Sequence, residues 1–210
     1  MIRLWGRASS VNVQKVLWAL AEIGLEVEHK IVGGPYGGTQ TAEFGALNPL
    51  RRVPVLEDDG QVIWESNAIL RHLSRSYPSG LAPQGHSMSQ ADQWMDFGLT
   101  TLFPPFVGLF WQAVRLPIAD RDPTVAARHE GDMLAAFDVL ETRLAQSPWL
   151  AGERFSIADI SIGVVMERAC DLSRPTENRS ALARWHEAMR MRRAYREVVM
   201  TSYEELRATN

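Results

Sequence analysis

The feature that most constrains this fold is a change of pattern about a third of the way along the chain. Strand-like and helix-like patterns alternate before that point, and no strand-like segment follows it. The change falls in Tyr77–Gly85, which is dense in proline and glycine, the residues that most often interrupt regular structure. We therefore predict an α/β domain over residues 1–77, a linker over 78–87 and an all-α domain over 88–210.

The first domain has the element order βαβ followed by ββα. Ile2–Trp5 alternates as a short strand, a helical pattern then runs to Gly24, and Val27–Val32 follows as a second strand. A β-α-β unit predicts a parallel pair with a right-handed crossover. A hairpin over Val53–Trp64, with an Asp-Asp-Gly turn, and a helix over Ser66–Ser76 complete the domain.

The second domain contains six helical patterns and no internal repeat. They cover Ser89–Phe103, Phe106–Arg115, Pro123–Gln146, Ser156–Asp171, Ala181–Met189 and Tyr195–Leu206. Phe97–Val114 runs without a charge and just reaches the length of a membrane-spanning helix. Pro104-Pro105 in its middle favours a kinked helix that is buried or lines a cavity, so we expect no membrane partner.

Charge and cysteine content exclude several classes of protein. The formal net charge is −3, so no overall positive field gathers nucleic acid or anionic lipid. Cys170 is the only cysteine, and the five histidines lack metal-ligand spacing, so neither a disulfide nor a metal is expected. The first residues do not form the apolar core of a signal peptide. We expect a soluble cytoplasmic protein that binds no metal and no nucleic acid.

Hydroxyl and amide side chains gather at the start of the first predicted helix, at Ser9, Ser10 and Asn12. Serine and asparagine are common helix N-caps, so capping alone accounts for them. Alternatively, the helix N-terminus and a hydroxyl donor face an anion such as a thiolate, whose charged form both would favour.

Val53-Pro54 opens a predicted strand, where proline cannot donate a hydrogen bond to the sheet. Either the proline lies at a sheet edge, or the peptide bond is cis and marks a tight turn that exposes the backbone of Val53. The sequence leaves both alternatives open.

Glu65 and Ser66 stand together at the start of the third predicted helix. Ser66 is a possible N-cap. The functional alternative is a site for a zwitterionic amino acid, with Glu65 on the ammonium group and Ser66 plus helix N–H groups on the carboxylate.

Phe155–Ile160 has the pattern of a capping box in which Asp159 takes the usual place of Glu or Gln. Phe155 and Ile160 are spaced as a hydrophobic staple around Ser156. We interpret this segment as structural.

Taken together and in this order, these features resemble the cytosolic glutathione transferases over nearly the whole chain, and bacterial members in particular. The resemblance rests on Ser9–Val16, Leu47–Asp58, Trp64–Ile69 and Phe155–Ile160. It implies a thioredoxin-like first domain that binds glutathione as co-substrate and an all-helical second domain that supplies most of an open hydrophobic site. It also implies a homodimer.

Members of this family differ in the group that meets the glutathione sulfur, and the resemblance here is to the serine type. Trp5 stands at the end of the first strand, where the tyrosine type has its tyrosine, and Cys170 lies in the wrong half for the cysteine type. The resemblance implies Ser10 as the donor to the thiolate, with Ser9 as a near alternative and Asn12 as a possible second donor.

The resemblance also assigns the residues that hold glutathione. Val53, before a cis Pro54, would pair with the peptide backbone, Glu65 and Ser66 would hold the amino-acid end, and Arg52 could reach a carboxylate. Arg51 departs from the pattern, because many relatives have glycine there.

For the second substrate, Phe106, Trp111 and Arg115 resemble the wall that binds the electrophile, although core packing also accounts for the aromatic residues. The expected activity is conjugation of the glutathione thiolate to small, largely apolar electrophiles. The alternatives are a glutathione-dependent disulfide or peroxide reductase or isomerase on the same fold, and a non-catalytic binding module.

Overall fold

The computed structural model describes residues 1–209 and contains one four-stranded mixed sheet. The strands are β1 (Ile2–Trp5), β2 (Glu28–Lys30), β3 (Val55–Asp58) and β4 (Gln61–Trp64). In the order β2-β1-β3-β4, β1 pairs parallel with β2 and antiparallel with β3, and β3 pairs antiparallel with β4. The predicted parallel pair and hairpin are confirmed, although β2 is shorter than expected.

The hairpin turn has the backbone conformation that a two-residue connection requires. Asp59 and Gly60 have φ angles of 49° and 83°. Two consecutive positive φ angles match the twist of the flanking strands, and Asp-Gly is among the sequences that adopt them most readily.

Three helices pack with the sheet: α1 (Val11–Ile23), α2 (Ala42–Leu47) and α3 (Ser66–Ser76). α1 ends at Gly24, which has a φ of 79° as expected of a glycine C-cap. The sequence did not predict α2. It has six residues with only Phe44 buried, so it carries no periodic apolar pattern.

The rest of the described chain is helical, as predicted. The α-helices are α4 (His86–Phe97), α5 (Phe103–Phe110), α6 (Pro123–Leu144), α7 (Ile157–Gly163), α8 (Met166–Leu172), α9 (Ser180–Arg190) and α10 (Arg193–Val198). A single-turn 3₁₀ helix, Glu204–Leu206, follows α10. The patterns predicted over Ser156–Asp171 and Tyr195–Leu206 are each interrupted, because apolar spacing continues through the breaks and does not mark them.

The two helices predicted around Pro104-Pro105 are one helix, His86–Arg115. A π-helical turn at Gly98–Leu102 widens the helix directly before the prolines, which then occupy the first positions of α5. Proline is tolerated there because its missing N–H leaves little unsatisfied. The predicted interruption of the helix at Pro104-Pro105 is therefore wrong.

This long helix is apolar and long enough to cross a membrane by length and composition alone. Within the fold, 44% of its most apolar window is buried, and α5 packs against α6. One such helix is weak evidence for a membrane segment, because core helices of folded domains pass the same test.

One apolar core runs through both halves of the chain, with α1 at its centre. The Trp18 ring lies 5.6 Å from Phe155 and 4.8 Å from Tyr195 between centroids. At the same interface Arg192 donates two hydrogen bonds, of 2.7 and 2.6 Å, to Glu22. Because the core is continuous, the predicted domain boundaries stay a prediction.

The capping box predicted at the start of α7 is confirmed, and it extends beyond the helix. Asp159 is fully buried and accepts from the backbone and hydroxyl of Ser156 at 2.9 and 3.2 Å. Its other oxygen accepts from Leu150 N at 3.0 Å and Trp185 Nε1 at 2.9 Å. One carboxylate therefore ties α7 to α9 and to the loop before it.

We predict that Asp159→Ala lowers the free energy of unfolding by about 3–5 kcal/mol, because it leaves several buried hydrogen-bond donors without an acceptor. Urea unfolding measures the change. The matched control is Asp138→Ala, whose carboxylate is 65% exposed and accepts from Arg179 at 2.7 Å. That change costs less than about 1 kcal/mol. Equal losses in the two variants would contradict the structural role of Asp159.

Candidate active site

The N-terminus of α1 is built by the short loop that leaves β1. Ser10 is the N-cap residue of α1, but its side chain makes no capping hydrogen bond. Its hydroxyl has no hydrogen-bond partner within residues 1–209, and the residue is partly exposed. Capping therefore does not account for this side chain, which is free to meet a ligand.

Ser9 is engaged where Ser10 is not. It is 6% exposed, and its hydroxyl donates to the Glu205 carboxylate in the C-terminal segment. Its carbonyl accepts from Arg168 Nη2 at 2.8 Å. Of the two serines, Ser10 is the one whose hydroxyl is available.

The start of α3 meets the first turn of α1. The Ser66 hydroxyl donates to Asn12 Oδ1 at 3.3 Å, so two predicted site residues from distant segments lie together. Ser66 is the first residue of α3 and Glu65 is its N-cap, so the interpretation of Ser66 as a cap is wrong.

Glu65 has an uncommon backbone conformation for a residue with a side chain. Its φ is 71°, in the left-handed region that favours glycine, and its exposed carboxylate makes no capping bond. Such conformations cost free energy and cluster at functional sites. The geometry therefore favours the ligand-binding interpretation of Glu65 over a capping role.

Val53 lies beside the loop that precedes α1. The Val53–Pro54 peptide bond is cis, which settles the alternatives that the sequence left open. A Cβ atom at Gly6 would overlap the Val13 side chain and lie 3.1 Å from Val53 Cβ. Only glycine at position 6 lets these two segments approach so closely.

The segment before Val53 contains Arg52, a predicted glutathione contact, and Arg51, which departs from the family pattern. Arg51 has a φ of 53°, a conformation that glycine adopts most easily. Its side chain turns away to donate to the carbonyls of Thr39 at 3.3 Å and Thr41 at 2.8 Å. Arg52 is exposed, which leaves its guanidinium free to reach a ligand.

The predicted substrate wall is only partly at the surface. Phe106 is 2% exposed and lies 6.1 Å from both Phe103 and Phe110 between ring centroids. Its placement on the open wall is therefore corrected to the core behind it. Trp111 is 49% exposed, and the Arg115 guanidinium lies 5.4 Å from its ring.

Sequence reasoning missed three further residues near the start of α1: Arg7, Tyr36 and Glu205. Tyr36 donates to Glu205 at 2.8 Å, and Arg7 lies in the loop before Ser9. No sequence signal marks the contact between Ser9 and Glu205, because it joins residues 196 positions apart.

A buried lysine, also missed, lies beneath the site. Lys15 is 2% exposed, with Nζ 3.5 Å from Asn67 Oδ1 and 3.9 Å from the Phe103 ring centroid. Burial lowers the pKa of Lys15 to about 7, while the charge of Glu65 opposes that shift.

Asn67 connects this lysine to the helical domain. Its Oδ1 accepts from Ser161 at 2.8 Å, and its Nδ2 donates to the Met95 carbonyl at 3.1 Å. The network therefore links α1 and α3 to α4 and α7 through buried polar groups.

Cys170 does not offer a reactive thiolate. Burial raises the pKa of its thiol to about 11. Within residues 1–209, no three His, Cys, Asp or Glu side chains converge in a way that could hold a metal ion.

Comparisons with known proteins match both halves of the chain. The model of the glutathione S-transferase N-terminal domain matches residues 1–75, and that of the C-terminal domain matches residues 123–188. Glutathione S-transferase GstB of Escherichia coli K12 is 34% identical over 204 residues, covering 95% of this chain and 98% of the relative. The chain belongs to the glutathione S-transferase family.

Relatives extend from bacteria to plants. Glutathione S-transferase 3 of Zea mays is 30% identical over 208 residues, covering 94% of this chain and 93% of the relative. A theta class glutathione S-transferase from Xanthomonas axonopodis pv. citri, solved with glutathione bound, has a TM-score of 0.91. It is 38% identical in sequence, and the match covers 96% of this chain and 98% of the Xanthomonas chain. The predicted fold class and the glutathione transferase assignment are confirmed.

We predict that Lys15→Met raises the stability of this transferase at neutral pH. The folded-state pKa of about 7 lies below the ordinary 10.5, so the unfolded state binds more protons between these values. The lysine therefore costs most stability below pH 7, and the cost shrinks as pH rises towards 10.5. Asn67 keeps its bond from Ser161 in the variant.

Urea unfolding at several pH values measures this effect. At pH 7 the variant should gain about 1–3 kcal/mol, with the gain shrinking in alkali. Lys30→Met is the control, because Lys30 is 43% exposed and pairs with Glu28. A Lys15→Met variant that is less stable than the native protein at every pH would refute the prediction.

Proposed function

We propose that this transferase stabilises the glutathione thiolate at Ser10 and conjugates it to small, largely apolar electrophiles. The observation that carries the proposal is the free Ser10 hydroxyl at the N-terminus of α1. A hydroxyl donor and the positive end of a helix both favour a thiolate over a thiol. They lower the thiol pKa from its free value of about 8.5.

In the proposed reaction the thiol loses its proton to solvent on binding, and Ser10 donates a hydrogen bond to the sulfur. The thiolate then attacks the electrophilic carbon, a carbon–sulfur bond forms, and the leaving group departs with its electron pair. Ser10 attacks nothing. Its contribution is activation of the sulfur, while the rest of the site supplies orientation.

Glutathione lies across the start of α1 and α3 in this proposal. Glu65 accepts from its ammonium group, and Ser66 with the first N–H groups of α3 binds the adjacent carboxylate. Val53 pairs with the peptide backbone, and Arg52 reaches a terminal carboxylate. On binding, the Ser66 hydroxyl turns its single proton from Asn12 Oδ1 to the carboxylate beside the ammonium group, and Asn12 Nδ2 acts as a second donor near the sulfur.

The electrophile binds against Trp111 and Arg115, with Phe106 supporting that surface from the core. A half-exposed indole is a suitable face for an apolar body, and it has no hold on glutathione. Substitution of Trp111 therefore changes which electrophiles are accepted.

The same thiolate also suits disulfide or peroxide reduction or isomerisation, which remain the alternative chemistry. Cys170 contributes to none of these, because burial raises its thiol pKa to about 11. A non-catalytic module would have no thiolate that depends on Ser10. We propose a cytoplasmic location on the grounds of the single cysteine.

We predict that Ser10→Ala changes the thiol pKa of bound glutathione, whereas Glu65→Ala changes the affinity for glutathione. Ser10→Ala raises the pKa of bound glutathione towards about 8.5 and leaves its affinity nearly intact. Glu65→Ala weakens binding by roughly tenfold or more, since a charge-assisted hydrogen bond is worth about 1.5–3 kcal/mol. Thiolate absorbance against pH and calorimetry measure the two quantities.

Ser9→Ala is the matched control, because the Ser9 hydroxyl is bonded to Glu205. It should leave the thiol pKa in place. If the thiol pKa shifts in Ser9→Ala and not in Ser10→Ala, Ser9 is the donor to the thiolate. If Glu65→Ala binds glutathione as tightly as the native protein does, Glu65 does not belong to the site.

We also propose that the enzyme is a homodimer, which the family resemblance implies. Leu50, Val62 and Trp64 are 52%, 43% and 37% exposed, and exposed apolar side chains on a sheet edge and its neighbouring loop suit an interface.

Light scattering at micromolar concentration should report about twice the chain mass of 23.6 kDa. Trp64→Glu should shift the population towards the monomer, because it places a charge in an apolar interface. Met191→Glu, at a side chain 70% exposed on the helical domain, is the control. A native protein that is monomeric at this concentration would overturn the proposed dimer.

A further inference from the structure

Three arginines with no carboxylate partner lie around the start of α1. Arg7 precedes Ser9, Arg115 ends the long helix, and Arg168 belongs to α8. Among the ion pairs within residues 1–209, none involves these three side chains. Burial first, then the charge of Arg115, lowers the pKa of Arg7. Burial and neighbouring cations likewise lower the pKa of Arg168 to about 10. The region is thus rich in positive charge that no direct ion pair neutralises.

Arg7 is the least satisfied of the three. Its Nε atom is buried and has no hydrogen-bond partner in the described chain. A Cβ atom at Gly34 would lie 3.2 Å from this nitrogen, so glycine there leaves room for the guanidinium. A buried donor without an acceptor is costly, and an anionic ligand would remove that cost.

One carboxylate already lies in this region. Glu205 accepts from the hydroxyls of Ser9 and Tyr36. Those hydrogen bonds, followed by the charges of Arg7 and Arg115, lower its pKa. The surroundings of this carboxylate therefore favour an anion. In the free protein that anion is the Glu205 side chain, which belongs to a single-turn 3₁₀ helix.

The Glu205 segment is held on both sides of Glu205 itself. Before it, the Tyr203 ring lies 5.4 Å from the Phe110 ring between centroids, and the Tyr203 hydroxyl donates to Asp171 at 3.0 Å. Glu205 is exposed, Leu206 is 4% exposed in the core, and Ala208 N donates to the Val114 carbonyl at 2.9 Å. A rotation of the Glu205 side chain frees the two hydroxyls without unpacking Leu206.

We propose that this transferase selects electrophiles that carry a carboxylate, which binds near Arg7, Arg115 and Tyr36 in place of the Glu205 side chain. The inference rests on the proposed function and names its substrate class. In the proposed function the apolar body lies against Trp111, beside Arg115, and the reacting carbon meets the sulfur at Ser10, the neighbour of Ser9. The class is small aryl or alkyl acids with a leaving group on a saturated carbon.

A matched pair of benzyl halides tests the selectivity. 4-(Bromomethyl)benzoate and 4-(bromomethyl)benzamide share the reacting carbon and differ in charge. With either, the thiolate forms a bond to the benzylic carbon, the carbon–bromine bond breaks, and bromide leaves with the electron pair. The readout is the ratio of kcat/KM for acid over amide, each corrected for its uncatalysed rate.

The native ratio should exceed one, and two substitutions should move it in opposite directions. Glu205→Gln should raise it several-fold, because the competing and repelling charge is gone. Arg7→Gln should lower it roughly tenfold, as expected for one charge-assisted contact. Glu204→Gln, at a carboxylate that pairs with Arg207, is the control and should leave the ratio in place. A ratio unaffected by both Glu205→Gln and Arg7→Gln overturns the inference.

Binding of unreactive analogues separates this inference from the proposed function. Calorimetry compares 4-methylbenzoate with 4-methylbenzamide on the glutathione-loaded protein. If neither halide reacts above its uncatalysed rate, the conjugation proposal fails. Tighter binding of the acid, strengthened by Glu205→Gln, still supports the anion site. Equal binding of acid and amide to both the native protein and Glu205→Gln refutes it, whatever the turnover.

Discussion

The burial of α1 between the sheet and the helical domain is the constraint on which the rest of the structure depends. Trp18 packs against aromatic rings of the second half, and Lys15 reaches the polar network at Asn67. Next to Lys15, Gln14 donates to the Val198 carbonyl at 3.1 Å and accepts from Arg168 at 3.1 Å. A helix fixed on so many sides presents its N-terminus, and with it Ser10, in one position.

The charge around that N-terminus gives the site its chemistry. A helix end and nearby guanidinium groups favour any anion that approaches, whether it is the sulfur of glutathione or a group on the second substrate. The Glu205 side chain balances part of this charge. Its bond to Ser9 occupies that hydroxyl, so the proposed role at the sulfur falls to Ser10. The proposed thiolate stabilisation and the proposed substrate choice would therefore both follow from the same electrostatic arrangement.

Much of the fold and part of the site were predictable from local pattern. The hairpin, the glycine stop after α1 and the Asp159 box are each set by residues within a few positions of one another. The residues missed are those defined by distant contacts. Glu205 meets Ser9 across nearly the whole chain, and Lys15 is buried because a second domain covers its helix. Phe106 was misplaced for the same reason, since its apolar spacing does not say whether the side chain faces the cleft or the core.

The central claim is that the Ser10 hydroxyl contacts the glutathione sulfur. A crystal structure of this protein with glutathione tests it most directly, through the distance between Ser10 Oγ and the sulfur. We expect hydrogen-bonding distance, with the Ser9 hydroxyl still bonded to a carboxylate and Glu65 on the ammonium group. A sulfur atom that lies on Ser9 or Asn12, beyond the reach of Ser10, would contradict this account.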